Sequence, residues 1–145
     1  MKLVLGSDHA GIDLRKWLVG KLGAAGHSCR EVGAPDTCAY DYPDASDELV
    51  KVLEGGGADY GILICGTGIG VSMRANRYPD MRCAICTTEY MAAMAREHND
   101  ANILALGSRV LGTEQALAIV NTFLATVTSE VPRHQARIKK LGAPI

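Results

Sequence analysis

Apolar residues in this chain come in two spacings that take turns. Short unbroken runs occur within residues 2–6 (Leu3-Val4-Leu5), 59–65 (Ile62-Leu63-Ile64) and 102–106 (Ile103-Leu104-Ala105-Leu106), and have the length of strands buried on both faces. Between them apolar residues recur at helical spacing, as with Ile12, Leu18 and Leu22 in a helix predicted over about Ile12 to Ala25. The same reading predicts a short strand near 28–33 and a loop from Ala34 to Pro43. A helix follows from about Asp44 to Leu53, stopped by Gly55-Gly56-Gly57. Another starts after residue 65 and ends near Tyr78-Pro79. A strand at about 82–86 and a helix from Thr88 to about Glu97 come next, then a long helix from about Thr113 to Val127 with Thr113 as a suitable N-cap. After Pro132 a last short helix carries Arg133 and Arg137. Regular alternation of strand and helix predicts an α/β fold, with a parallel sheet covered by helices on both faces. No repeat or linker interrupts it, so residues 1–145 read as one domain with a helical arm at about 131–145.

In such sheets ligands bind beyond the carboxyl ends of the strands. Asp8-His9 follows the first strand, Cys65 with its glycines the third, and Gly107-Ser108-Arg109 the fifth. His98-Asn99-Asp100 instead lies between a helix and a strand, and reaches that edge only if the connection is long or bent. The densest of these segments is Gly61–Ser72, GILICGTGIGVS. Its turn lacks the Lys-Ser/Thr of a Walker A loop, and its G-x-G-x-G spacing after a third strand is not the dinucleotide fingerprint. Backbone N–H groups in a glycine-rich strand-to-helix turn favour an anion, and Cys65 sits beside them. Two readings stand at this point: a reactive thiol, since thiols near helix N-termini are more acidic than usual, or a structural cysteine buried in a tight turn. His98 taken alone reads as a histidine at a helix C-terminus with Asn99 as a polar cap, and Asp8 as the cap of the helix that begins after Gly11. Arg133 and Arg137 share a helix face and suit a phosphate clamp, or equally a solvated basic tail with Lys139 and Lys140.

Composition narrows the field. With 48% hydrophobic and 21% charged residues and a net charge of −1, the chain lacks the basic excess of a nucleic-acid binder. No apolar run approaches the length of a membrane span, and the strand-like run after Met1 leaves no room for an export signal, so a cytoplasmic protein is expected. The 5 cysteines, odd in number and irregularly spaced, point to free thiols in a reducing compartment. Cys83 and Cys86 form a C-x-x-C, but on a strand an i, i+3 pair points to opposite faces, and no second pair completes a zinc site.

Six segments in this order resemble the type B ribose-5-phosphate isomerase family, which also includes allose-6-phosphate and galactose-6-phosphate isomerases. They are Gly6-Ser7-Asp8-His9-Ala10-Gly11, Asp41-Tyr42-Pro43, Cys65-Gly66-Thr67-Gly68-Ile69-Gly70, His98-Asn99-Asp100-Ala101-Asn102, Gly107-Ser108-Arg109 and Arg133-His134-Gln135-x-Arg137, spread over almost the whole chain. The resemblance implies a three-layer α/β/α sandwich around a five-stranded, parallel, Rossmann-like sheet. It implies an aldose–ketose isomerase acting on ribose 5-phosphate and ribulose 5-phosphate without metal or organic cofactor. Cys65 would be the base, His98 the proton donor for ring opening, and Asp8 and Thr67 their catalytic partners. Gly66, Thr67, Gly68, Ile69 and Gly70 would line the enediolate. Asp8, His9, Tyr42 and Asn99 would contact substrate, and Arg109, Arg133 and Arg137 would hold its phosphate. Some members place a carboxylate a few residues beyond this cysteine position instead, but Val71 and Ser72 offer no acid here. The family is dimeric or larger, with C-terminal arginines lent to the neighbouring subunit. Because one chain carries every expected group, a homodimer or homotetramer is expected, with no nucleic-acid or membrane partner. A six-carbon 6-phosphate substrate, or a phosphosugar-binding module without turnover, remains the alternative.

The chemistry is self-consistent. Removing a proton next to a carbonyl builds charge on oxygen, and preformed N–H donors at that oxygen are worth about 3–4 kcal/mol of barrier. Sugar phosphates are mostly cyclic, so an acid and a base for ring opening are needed as well.

Overall fold

Five short runs form one sheet in the computed structural model, which describes residues 1–142: β1 (Lys2–Ser7), β2 (Ser28–Gly33), β3 (Tyr60–Cys65), β4 (Cys83–Ile85) and β5 (Ile103–Gly107). Neighbours pair in parallel, in the order β2-β1-β3-β5-β4. Alternate residues of the central strands feed two separate cores, which is why these strands read as unbroken apolar runs. Leu3, Leu5, Ile62, Ile64, Leu104 and Leu106 face one core; Val4, Leu63, Cys65, Ile103 and Ala105 face the other.

Helices α1 (Ile12–Ala24), α4 (Glu89–Asn99) and α5 (Thr113–Ala125) supply Leu18, Leu22, Ala92, Ile119 and Phe123 to the first core. Helices α2 (Tyr42–Glu54) and α3 (Ile69–Ala75) supply Leu49, Val50, Val71 and Ala75 to the second. The expected α/β/α sandwich is thus observed. Helix α6 (Pro132–Leu141) packs on α4, and the last three residues of the expected C-terminal arm, 143–145, lie outside the described residues. The paired cysteines divide as their spacing predicts: Cys86 joins the first core and Cys83 packs against the second. Burial pushes the Cys83 thiol up and takes Cys86 to about 11, so both stay protonated near neutral pH.

Several boundaries differ from expectation. Helix α2 begins at Tyr42, not Asp44, because a proline in the first turn costs no hydrogen bond there. Thr113 is not the N-cap of α5; Gly112 holds that position in an extended conformation, without a side-chain cap. Asn99 does not cap α4 but belongs to its last turn, and Asp100 closes the helix at φ +46°. Asp8 does cap, though the cap serves a short 3-10 turn, His9–Gly11, that precedes α1. Helix α3 stops at Ala75, after which Arg77 and Tyr78 make tighter turn bonds to Arg74 and Ala75.

Two guanidinium groups are buried, one toward each edge of the sheet. Arg15 Nη1 donates to Ser7 Oγ and the Val32 carbonyl at 2.9 Å each, Nη2 to the Ala34 carbonyl at 2.8 Å, and Nε to Glu31 at 2.9 Å. Arg96 Nη1 donates to Asp100 Oδ1 at 2.8 Å and the Ala101 carbonyl at 2.7 Å, and Nη2 to the Tyr60 hydroxyl at 2.8 Å. Its Cζ also lies 4.6 Å from the centre of the Tyr60 ring. The first clamp ties α1 to the carboxyl ends of β1 and β2. The second ties the end of α4 to the start of β5.

Candidate active site

After β1 the chain turns to α1 on one face of the sheet; after β3 it turns to α3 on the other. The carboxyl ends of β1 and β3 therefore flank the topological switch point, where open α/β sheets form a crevice. Asp8 and Cys65 stand at its two sides. Asp8 is 7% exposed, and its Oδ1 accepts from Ala10 N–H at 2.9 Å and Gly11 N–H at 3.2 Å. Its own N–H donates to the Ile64 carbonyl at 3.3 Å, which stitches the two strand ends together.

Cys65 closes β3 and is 5% exposed. Gly68 N–H donates to its Sγ at 3.1 Å. That geometry depends on Gly68 holding φ +81°, a left-handed conformation that a side chain disfavours. Thr67 Oγ1 accepts from Ile69 N–H at 3.3 Å and is exposed with Ile69 at the turn's outer lip. Tyr42, at the start of α2, lays its ring against Gly70 so closely that a Cβ there would sit 2.7 Å from ring carbon. From the β5 side, Ser108 N–H and Arg109 N–H donate to the carbonyls of Cys65 and Gly66 at 2.8 and 3.0 Å. The Arg109 side chain lies over Gly66, and Ser108 Oγ bridges to the carbonyls of Ala10 and Cys65 at 2.8 and 3.1 Å. The structure thus brings Asp8, His9, Tyr42, Cys65, Gly66, Thr67, Gly68, Ile69, Gly70 and Arg109 to one edge. An open cleft of 610 Å³ runs from there past Tyr42, Gly70, Ser72 and Met73. A separate recess of 330 Å³, lined by Arg30, Glu48 and Lys51 beside edge strand β2, holds none of the predicted site residues.

His98, Asn99, Arg133 and Arg137 gather elsewhere. The link from α4 to β5 is short, so the end of α4 delivers His98 and Asn99 to the amino edge of the sheet, opposite Cys65. There the His98 ring packs against His134 of α6, centroids 4.3 Å apart and planes tilted by 52°. Arg133 Nε donates to His134 Nε2 at 3.3 Å, while Arg133 and Arg137 stay exposed. Burial, followed by the nearby positive groups of His98, Arg133 and Arg137, lowers the proton affinity of His134 below that of an ordinary histidine. One chain therefore carries two half-sets of the predicted residues, on opposite edges.

Ser108 and His134 lie inside the sequence motifs, yet their residue types alone do not mark them as site residues. Tyr40, whose main chain meets His9, carries no signal in the loop pattern. Among the described residues, no three His, Cys, Asp or Glu side chains cluster as a metal site would need, and no helix is long and apolar enough to cross a membrane.

Residues 3–141 match the family described as Ribose/Galactose Isomerase. Ribose-5-phosphate isomerase B of Escherichia coli (strain K12) is 39% identical over 142 residues, spanning 98% of this chain and 95% of that protein. The solved structure of Clostridium thermocellum ribose-5-phosphate isomerase B superposes with a TM-score of 0.94 at 44% identity, covering 98% of this chain and 95% of that one. The Thermotoga maritima ribose 5-phosphate isomerase superposes equally well, with a TM-score of 0.94 at 41% identity and 97% coverage of both chains. The fold, the order of the motifs and the full-length match agree: the chain belongs to the ribose/galactose isomerase family of sugar-phosphate isomerases.

Proposed function

We propose that the protein interconverts D-ribose 5-phosphate and D-ribulose 5-phosphate through ring opening and a cis-enediolate, with Cys65 as the base. The observation that carries this reading is the turn at the β1/β3 switch point. There a sulfur held by the Gly68 N–H at 3.1 Å sits among backbone donors, with a guanidinium over Gly66. In the open-chain aldose, the Cys65 thiolate takes the proton from C2, and the electron pair moves onto the C1 carbonyl oxygen to give the enediolate. That oxygen is held by backbone N–H groups of the turn at residues 66–70. The O2 proton then passes to O1, Cys65 returns its proton to C1, and the ketose forms with its carbonyl at C2. Arg109 supports charge at the same edge. Asp8 and His9 offer acceptor and donor groups to the sugar hydroxyls, and Tyr42 closes one wall.

His98 as the ring-opening acid, Asn99, and Arg133 with Arg137 as the phosphate clamp act on this chemistry from a second copy. The two half-sets lie on opposite edges of one chain and complement each other only between chains. A homodimer, or a homotetramer built of such dimers, satisfies both sites at once.

Turnover of ribose 5-phosphate and allose 6-phosphate, measured side by side with exchange of the C2 hydrogen into solvent, tests the reading. Preference for ribose 5-phosphate with exchange is expected. A strong preference for the six-carbon sugar would overturn the substrate, and binding of either sugar without exchange would overturn catalysis.

A further inference from the structure

His9 is exposed at the carboxyl edge, and its ring is held by the main chain of one loop residue. Tyr40 N–H lies 3.3 Å from His9 Nδ1, and the Tyr40 carbonyl oxygen lies 3.4 Å from the same atom. The N–H is a permanent donor and the carbonyl a permanent acceptor, so the two make opposite demands on Nδ1; the N–H contact is the shorter and favours a neutral imidazole with Nδ1 as acceptor and its hydrogen on Nε2. Tyr40 is in turn braced. Its hydroxyl donates to Glu48 Oε1, and the other oxygen of Glu48 accepts Gly33 N–H at 2.9 Å. Glu48 rides on α2 next to Leu49 and Val50, both fully buried. The intervening residues 35–39 are exposed, and the Cys38 N–H bond to Asp36 stays within the loop. The Tyr40–Glu48 bond thus connects a solvent-facing loop to the core at the point where the loop meets His9.

We propose that Tyr40, braced by Glu48, is a positioning residue for His9: it fixes the ring and its Nε2–H tautomer, so that a hydrogen-bond donor faces the phosphorylated sugar. This rests on the isomerase reading above and adds the group that sets His9. Tyr40 touches neither the reacting carbons nor the turn at Cys65; it acts through one ring nitrogen. Its hydrogen bond to Glu48 pushes the phenol up to about 12, so the hydroxyl keeps its proton and remains a donor near neutral pH.

A double-mutant cycle with Tyr40→Phe and His9→Ala tests this, together with nitrogen-15 spectra of the histidine rings in the free protein. Tyr40→Phe is expected to lower kcat on ribose 5-phosphate about 10-fold, short of the roughly 100-fold that a full 1 Å displacement can cost, because the main-chain contacts to His9 remain. It should change nothing further once His9 is alanine. In the neutral form of His9, the wild-type spectrum should show the ring hydrogen on Nε2, and Tyr40→Phe should weaken that preference. Equal losses in the two backgrounds, an unchanged kcat, or an unchanged His9 tautomer would each overturn the proposal. The spectra need no turnover, so a wild-type protein inert toward every sugar phosphate would remove the isomerase reading while leaving the mounting of His9 separately readable.

Discussion

At the scale of single residues, the turn after β3 concentrates the chemistry. Cys65→Ala removes the sulfur and little else, since the residue ends a strand and borders a core that alanine fits. The variant should bind inorganic phosphate or a substrate analogue as the wild type does and should show no detectable isomerisation, checked by calorimetry beside a coupled assay. Turnover within about 10-fold of wild type would remove Cys65 as base, because acid–base groups typically contribute 10²–10⁴-fold. Cys65 was readable because a strand, a thiol and three alternate glycines fall in nine residues, Ile62–Gly70. Asp8 was ambiguous between cap and ligand, and the structure shows that one oxygen caps a short turn while the residue borders the crevice. Tyr40 was invisible because its contribution comes from its main chain, and main-chain contacts across 31 positions leave no mark on side-chain spacing.

At the scale of elements, the corner between α4 and β5 rests on Asp100. This residue takes the left-handed cap position, bonds Arg96, and accepts from Arg82 Nη2 at 2.9 Å and Thr128 Oγ1 at 2.7 Å. Burial raises the proton affinity of its carboxyl, but the Thr128 hydroxyl and the guanidinium groups of Arg96 and Arg82 outweigh that and hold it below the ordinary range. Asp100→Ala leaves Arg96, 5% exposed, without a counter-charge. A loss of about 2 kcal/mol is expected in urea unfolding, below the roughly 3–5 kcal/mol of a fully buried pair because Asp100 is partly in water. A loss below 0.5 kcal/mol, with approximate limits set by surface pairs, would show that the corner is held by packing alone. The strands and helices around this corner followed from apolar spacing, whereas their ends did not. Thr113 had the right chemistry for a cap, yet the backbone at Gly112 takes that place. Helix ends answer to neighbouring segments, and spacing along one element carries no information about those.

At the scale of the whole molecule, α6 docks through a histidine that resists protonation. His134 binds protons less readily in the folded chain than in the unfolded one, where its value is near 6.5. Its contribution to stability is therefore complete above about pH 6.5 and fades as pH falls through the lower folded value, since the unfolded state then takes up the proton first. The urea midpoint should drop between pH 7.5 and 5.5, and His134→Leu should flatten that drop; an equal drop in the variant would place its origin elsewhere. The split of the site gives a second expectation. Cys65→Ala and Arg137→Ala subunits, each impaired alone, should regain activity when unfolded and refolded together, because half of the sites in a mixed dimer join an intact cysteine to an intact arginine. No recovery would count against shared sites. The existence of both half-sets was visible in the motifs, and the place of His98 between a helix and a strand already made a common edge conditional on a long or bent connection. The folded chain decides the condition, since only three residues separate α4 from β5.

The two buried arginines bear on how such an assembly would come together. Arg15 braces the edge that carries Asp8 and Cys65, and Arg96 braces the edge that carries His98. Each edge is thus finished within its own chain, so in the proposed dimer association would join two prepared surfaces and order little new backbone. Diluted enzyme should lose turnover while its far-ultraviolet circular dichroism stays constant. On reconcentration, activity should return at a rate proportional to the square of the subunit concentration. A concentration-independent recovery would mean that refolding within the subunit, not encounter between subunits, limits the return of activity.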